Sequence, residues 1–503
     1  MSVDFDVPKR QHPLGVFIIG AKFTWNLVRS FWPIFIGATL GEMEWYYFLA
    51  IPVVLLFTGA FALVYYLRFY FYISSDALIV ERGIFQRERL QIPFDRIQAV
   101  QLFQGPVQQI FGLTGVRVDT AGSSGSELEL VAVRKSEARV LQQFLSSKMT
   151  SGTAPESDVE TGKDAAPLEQ QSKPLVSLDT AGLIKVGLSQ NHFKNAFLGL
   201  ALFMSLFQGA EEQVSDWLNG VPAVLLSVVG LTSVLLFIPG LVIMGIFGVL
   251  TSLGSVFLRY WRLNSTLGQD GLKIQMGLLR RNTFDVPFDK IHLTEWRSNW
   301  IRRLLGYETV RIRQAQAEGS GGLRVFIPAM EPVHREAMET ALYPDLLDQK
   351  VLFDVTPARR LRWILLAAAS VPSLLLLAVP SGLHFAVAAA WLAFVFWTTG
   401  RRYRSYRLRV CTNSIVLEKG WFWQNRTVLK MAQLQGVEWK RNALLERRKI
   451  GHLVFHTAAG ERTFSYLQRD QAAQIRDFAL NQLHAAEQRA STEPLSSPVD
   501  QAQ

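Results

Sequence analysis

"GIFQRERLQIPFDRIQ" at residues 83–98 returns as "GLLRRNTFDVPFDKIH" at residues 277–292. The match extends beyond the letters. Gly83 is followed by Pro93 ten residues on and by Gly112 nineteen later, and Gly277, Pro287 and Gly306 keep both spacings. A third, weathered copy keeps Gly420, has Lys430 in place of the proline, reads "LKMAQLQ" across the motif and reaches Gly451 two residues late. One unit is therefore present three times.

Period and turn chemistry indicate what the unit is. "DALIVERGIFQRERLQIP", "GLKIQMGLLRRNTFDVP" and "NSIVLEKGWFWQNRTVLK" each place β-branched and apolar runs on both sides of a glycine, the pattern of a β-hairpin whose turn needs positive φ. Downstream, "TGVRVDTAG", "ETVRIRQAQ" and "GHLVFHTAAG" alternate as half-buried strands do. Each copy closes on a helical-period segment: "SEARVLQQFLSSK", "PVHREAMETAL" and "QAAQIRDFALNQL". The motif proline lacks an N–H and suits a strand end, so Pro-Phe-Asp-Arg/Lys-Ile reads as a corner of the fold rather than as a ligand site.

Composition adds a membrane expectation. The 503 residues are 49% apolar, carry a formal charge of +10 and have positive mean hydropathy. Residues 46–67 run 22 positions without a charge, and 221–258 and 363–399 are longer uncharged blocks broken at Pro239-Gly240 and Pro380-Ser381-Gly382. Residues 14–40 carry Lys22 and Arg29, which leaves an interfacial helix as the alternative to a span there. Arginines and lysines flank one side of the blocks, including Arg68, Arg259, Arg262 and Arg401–Arg409, while "GEMEW" and "GAEEQVSDW" flank the other. The positive-inside tendency then places every unit on the cytoplasmic side of about six spans. Asp4 and Asp6 argue against a secretory signal, and the lone Cys411 against a disulfide framework.

The stretch from Tyr65 to Val118 resembles the bacterial pleckstrin-homology-like (PH-like) domain, and three such units alternating with apolar hairpins resemble the YdbT-type multi-pass membrane proteins. The resemblance implies two roughly orthogonal antiparallel sheets with a C-terminal helix in each unit, and residence in the cytoplasmic membrane. It implies no established activity. The fold class expected is an α+β membrane protein in which transmembrane helical hairpins alternate with three small antiparallel β domains, each ending in a helix. The expected organisation is a transmembrane hairpin at 14–67, a PH-like domain at 68–148, a flexible linker at 149–178, a second transmembrane region at 190–258, a PH-like domain at 259–345, a third hairpin at 359–400, a degenerate PH-like domain at 401–485 and a disordered tail at 486–503.

No Walker loop, dinucleotide fingerprint, zinc-protease helix or nucleophile elbow accompanies this pattern, so neither catalytic residues nor a cofactor or metal is expected. His452 and His456 are four apart in a strand context, which is not ligand spacing. The candidate binding residues are basic: Arg87, Arg89 and Arg96 in the first unit, Arg280, Arg281, Arg302 and Arg303 in the second, and Lys440, Arg441, Arg447, Arg448 and Lys449 in the third. Cations held near an anionic leaflet each gain about 1 kcal/mol. The expected role is binding or scaffolding, with the phospholipid bilayer and its anionic lipids as partner, or another membrane protein, including a smaller PH-like one. Nucleic acid is not expected, since no recognition signature accompanies the charge. A transporter or transporter accessory subunit is the alternative, resting on Lys22 and Arg29.

Overall fold

The computed structural model describes residues 5–40, 50–120, 126–151, 173–190, 244–315, 324–346, 351–358 and 382–492, with isolated positions 192, 197, 363, 366, 367 and 370. The readings of 41–49, 198–243 and 371–381, of 152–172 in the expected linker and of 493–503 in the tail lie outside the described residues.

The first unit runs α1 (Gly15–Leu40), α2 (Ala50–Leu67), β1 (Tyr70–Ile73), β2 (Ala77–Arg82), β3 (Glu88–Pro93), β4 (Ile97–Gln104), α3 (Pro106–Ile110), β5 (Leu113–Thr120), β6 (Ser126–Arg134) and α4 (Lys135–Ser151). The second runs β7 (Lys173–Ser177), α5 (Thr180–Leu188), α6 (244–260), β8 (Asn264–Leu267), β9 (Gly271–Met276), β10 (Arg281–Pro287), β11 (Leu293–Asn299), α7 (Trp300–Leu304), β12 (Glu308–Arg313), β13 (Arg324–Met330) and α8 (Pro332–Leu342). The third runs β14 (Val351–Val355), α9 (Gly382–Arg404), β15 (Arg407–Cys411), β16 (Ser414–Lys419), β17 (Trp423–Lys430), β18 (Leu434–Lys440), α10 (Ala443–Glu446), β19 (Ile450–Thr457), β20 (Arg462–Gln468) and α11 (Arg469–Thr492).

The units are not separate β domains. Each splits its strands between two antiparallel sheets, and neighbouring units fuse edge to edge: one seven-stranded sheet has the order β6-β5-β4-β10-β9-β8-β7 and the other β13-β12-β11-β17-β16-β15-β14. At both seams the strand after the motif corner of one unit pairs with the strand before the corner of the next. The register is the same. Val100, seven past Pro93, faces Asp285, two before Pro287; Thr294, seven past Pro287, faces Val428, two before Lys430. Three-stranded sheets β1-β2-β3 and β18-β19-β20 are left at the two ends.

The closing helices bury the positions their period predicts. α4 buries Ala138, Leu141, Leu145 and Met149 in the first core, α8 buries Met338 and Leu342 in the second, and α11 buries Ala472, Ile475 and Ala479 in the third. The second core draws Val416 and Val428 from the third unit, and the third draws Leu293 from the second. The fully buried Tyr343 hydroxyl lies 3.2 Å from Thr294 Oγ1 and donates to the Val428 carbonyl at 3.3 Å, tying β11 to β17.

The transmembrane hairpins are a correction. Among the described residues, no helix is long and apolar enough to cross a membrane. The described residues of α2 and α6 number 18 and 17, about 27 and 26 Å of helix, and α9 runs into Arg401, Arg402 and Arg404. The first half of α1 is engaged with the first unit instead. Ile19 and Ala62 of α2 pack with Val131 of β6, Lys22 pairs with Glu129 at 3.2 Å, and Gln11 just before the helix accepts from the Val131 and Ala132 amides. The paired Lys22, one support of the transporter alternative, is thus a structural contact. Both helices still expose large apolar side chains, among them Phe17, Trp25, Leu56 and Phe57.

Candidate lipid-facing rim

The glycine that opens each hairpin tip is required by its backbone. Gly83, Gly277 and Gly420 have φ of 120°, 112° and 91°, and a Cβ on them would meet the carbonyl oxygen three residues on at 1.9, 2.0 and 1.9 Å. The turn so formed projects the next residues outward. These are Ile84-Phe85-Gln86, Leu278-Leu279-Arg280 and Trp421-Phe422-Trp423, with Phe85 95% and Trp423 71% exposed. Large apolar groups held in water at three equivalent tips mark an interaction surface.

Each tip is anchored beside the end of an apolar helix. The Arg68 guanidinium, one residue past α2, donates to the Ile84 carbonyl. The Gly277 and Leu278 amides donate to the Trp261 and Leu258 carbonyls at 3.0 and 3.1 Å, at the end of α6. Trp421 meets Trp397 of α9 edge-on at 4.8 Å, and Arg401 lies over both rings.

The short helix that follows each seam strand joins the neighbouring tip. Gln109 of α3 donates to the Leu279 carbonyl at 2.8 Å, and Arg303 of α7 donates to the Trp421 carbonyl at 2.9 Å, while Trp300 and Phe422 rings sit 6.2 Å apart. Ile110 and Leu304 on these helices are 79% and 78% exposed. Tips, short helices and helix ends together form one apolar and basic rim.

Five of the twelve basic residues picked from sequence lie on rim elements, and three more follow α10, the third unit's counterpart of α3 and α7. Arg87 follows the first tip, Arg280 and Arg281 the second, Arg302 and Arg303 stand on α7, and Arg447, Arg448 and Lys449 follow α10. Burial, helped by neighbouring Arg117, lowers the Arg280 guanidinium from its usual range. Four others are placed elsewhere or engaged. Arg96 lies at the corner, at the far end of β3 from the tip; Arg89 reaches Tyr72 and Glu81; Lys440 sits between Glu438 and Glu461; Arg441 pairs with Glu446 at 2.9 Å.

The corner itself is architectural. The Phe94, Phe288 and Met431 amides donate to Asp76, Asp270 and Asn413 carbonyls at 3.2, 2.9 and 2.7 Å, so the third unit makes the same bond without the motif letters. The third copy also keeps its spacing. Lys449, nineteen past Lys430, takes the left-handed conformation (φ 52°) that Gly112 (65°) and Gly306 (75°) take in the other units. Gly451 serves a different purpose, since a Cβ there would strike Trp439.

Beside the rim, in the second unit, a cavity of about 300 Å³ lies between α6, β11 and β12. Arg259, Arg297, Arg302 and Arg311 line it with Tyr260 and Thr309, and among the described residues no carboxylate does. Arg302 is held by Ser189, whose hydroxyl also accepts from Tyr307 at 2.6 Å. Arg297 and Arg311 also pair with Glu295 at 2.6 and 3.6 Å, and with Arg259 and Arg302 they make the volume suit an anionic, phosphate-sized group. Arg259, Arg297 and Arg311, like the exposed tip side chains, were not among the residues picked from sequence. The tips were visible as large apolar letters directly after the turn glycine; the cavity needed the fold.

Comparison with known proteins finds one domain family repeated along the chain. The family model described as Bacterial PH domain matches three times, at residues 31–149, 218–342 and 364–483. The chain is also 27% identical over 343 residues to the UPF0699 transmembrane protein YdbT of Bacillus subtilis (strain 168), across 64% of this chain and 66% of that protein. It thus spans just under two thirds of that relative's length.

Proposed function

The chain belongs to the bacterial PH domain family, and we propose that it is a non-enzymatic membrane-associated protein that applies the rim to anionic lipid at the cytoplasmic face of the cell membrane. One observation carries this: the same exposed apolar tip beside arginines occurs in all three units, each against the end of an apolar helix. Apolar tips seat in the headgroup region while the arginines meet phosphate, and α1 and α2 offer further apolar surface to the interface. The four-arginine cavity takes a headgroup phosphate. The printed name of the Bacillus relative, a transmembrane protein, agrees with membrane residence, and the single buried free thiol, Cys411, suits a reducing compartment.

The test is co-flotation of the full-length chain with phosphatidylcholine vesicles, with and without phosphatidylglycerol. Neutralising Arg447, Arg448 and Lys449 to Gln removes about 3 kcal/mol at low salt, on the order of a hundredfold in affinity. Equal binding to neutral and anionic vesicles, or an unchanged triple variant, refutes the proposal.

A further inference from the structure

The seams between units leave a matching edge at each end of the array. β3 is the counterpart of β10 and β17, and β18 the counterpart of β4 and β11, yet among the described residues neither β3 nor β18 has a strand on its outer side. β18 is also shaped like β4. Both carry a register shift at the same place, between Ile97 and Ala99 and between Leu434 and Gly436. An interface formed twice in one register, between different faces of equivalent units, is heterologous, and its repetition between copies builds a ring or an open chain.

We propose that β18 of one chain adds to β3 of a second copy in the register of the internal seams, so that copies join head to tail. Val437, seven past Lys430, then faces Gln91, two before Pro93. The neighbouring pairs are complementary: Trp439 falls opposite Arg89 and Lys440 opposite Glu88. Both charges are accessible, with side chains 46% and 58% exposed, and their present partners, Arg82 for Glu88 and Glu438 and Glu461 for Lys440, lie within their own end sheets or loops. The contact is strand addition, in which main-chain bonds hold and side-chain pairs select. It does not depend on what the rim binds.

The experiment is disulfide trapping in the full-length chain, whose native Cys411 is buried. The double variant Gln91→Cys/Val437→Cys forms covalent dimers, trimers and larger species on mild oxidation, and the two single variants form none beyond a dimer. A second measurement guards against misfolding. Glu88→Lys weakens self-association by about tenfold, and Glu88→Lys/Lys440→Glu restores it. A double-cysteine chain that forms no more than the single variants, a charge swap that fails to restore, or a Val437→Cys chain trapped only by a smaller PH-like protein overturns the proposal.

Discussion

Replacing Glu295 by glutamine loosens the seam between the second and third units. Glu295 stands on β11 with its side chain 3% exposed, opposite Arg311 on β12 and Thr427 on β17. Its carboxylate lies 2.6 Å from Arg297, 3.0 Å from Arg313 and 3.6 Å from Arg311, and also accepts from Arg462 on β20 of the third unit. Burial alone would raise its pKa; Arg462, Arg297, Arg313 and Arg311 together outweigh burial and hold it below the usual carboxylate value. Glutamine keeps the shape and leaves four guanidiniums without their shared counter-charge. Removing one partner of a buried ion pair costs about 3–5 kcal/mol, and the amide's remaining acceptor puts this site near the lower figure. Urea unfolding at pH 7, followed by tryptophan fluorescence, reads the loss. Because the folded pKa is depressed, this stability is present above the unfolded pKa and is lost as pH falls through the folded one, so the two proteins converge in acid. A loss under about 1 kcal/mol at pH 7, or a difference that persists in acid, refutes the reasoning.

His292 has its pKa lowered to about 4 by burial, with Lys430 and Lys290 adding to it. Its unfolded form binds a proton first, so stability falls as pH drops from about 6.5 to about 4, by about 3 kcal/mol, and His292→Gln flattens that part of the pH–stability curve; an unchanged slope contradicts the assignment. Lys449→Gly relieves a left-handed lysine and stabilises the third unit by about 1 kcal/mol in thermal unfolding, whereas a destabilised variant shows that the lysine's own contacts dominate.

Much of the fold was legible because it is written locally. Turn glycines, alternating strands and the apolar positions of α4, α8 and α11 each follow from period and φ, and the repeat showed them three times. The fusion of units was not legible. β4, β10, β11 and β17 carry the alternation of any half-buried strand, and nothing in that pattern names the partner on the far edge. Hydropathy likewise recorded apolar character and not use: α1 spends its first half against β6. Charge was the weaker guide to the site. Arg89, Lys440 and Arg441 have neighbouring partners and Arg96 lies at the corner past β3, away from the tip, facts fixed by topology. Lys449 was picked for its charge, but its left-handed role went unseen because the third copy was aligned on the letter glycine, while the backbone conformation had passed to a lysine.

The rim's contact with lipid is tested most directly by comparing the two ends of β3. Phe85→Cys places a label at the tip and Asp95→Cys places one at the exposed corner, while native Cys411 is buried. With an environment-sensitive fluorophore and anionic vesicles, the label at residue 85 shifts to the blue and the label at residue 95 keeps its aqueous spectrum. Equal shifts at both positions, or an unchanged spectrum at residue 85, contradict a rim that faces the membrane.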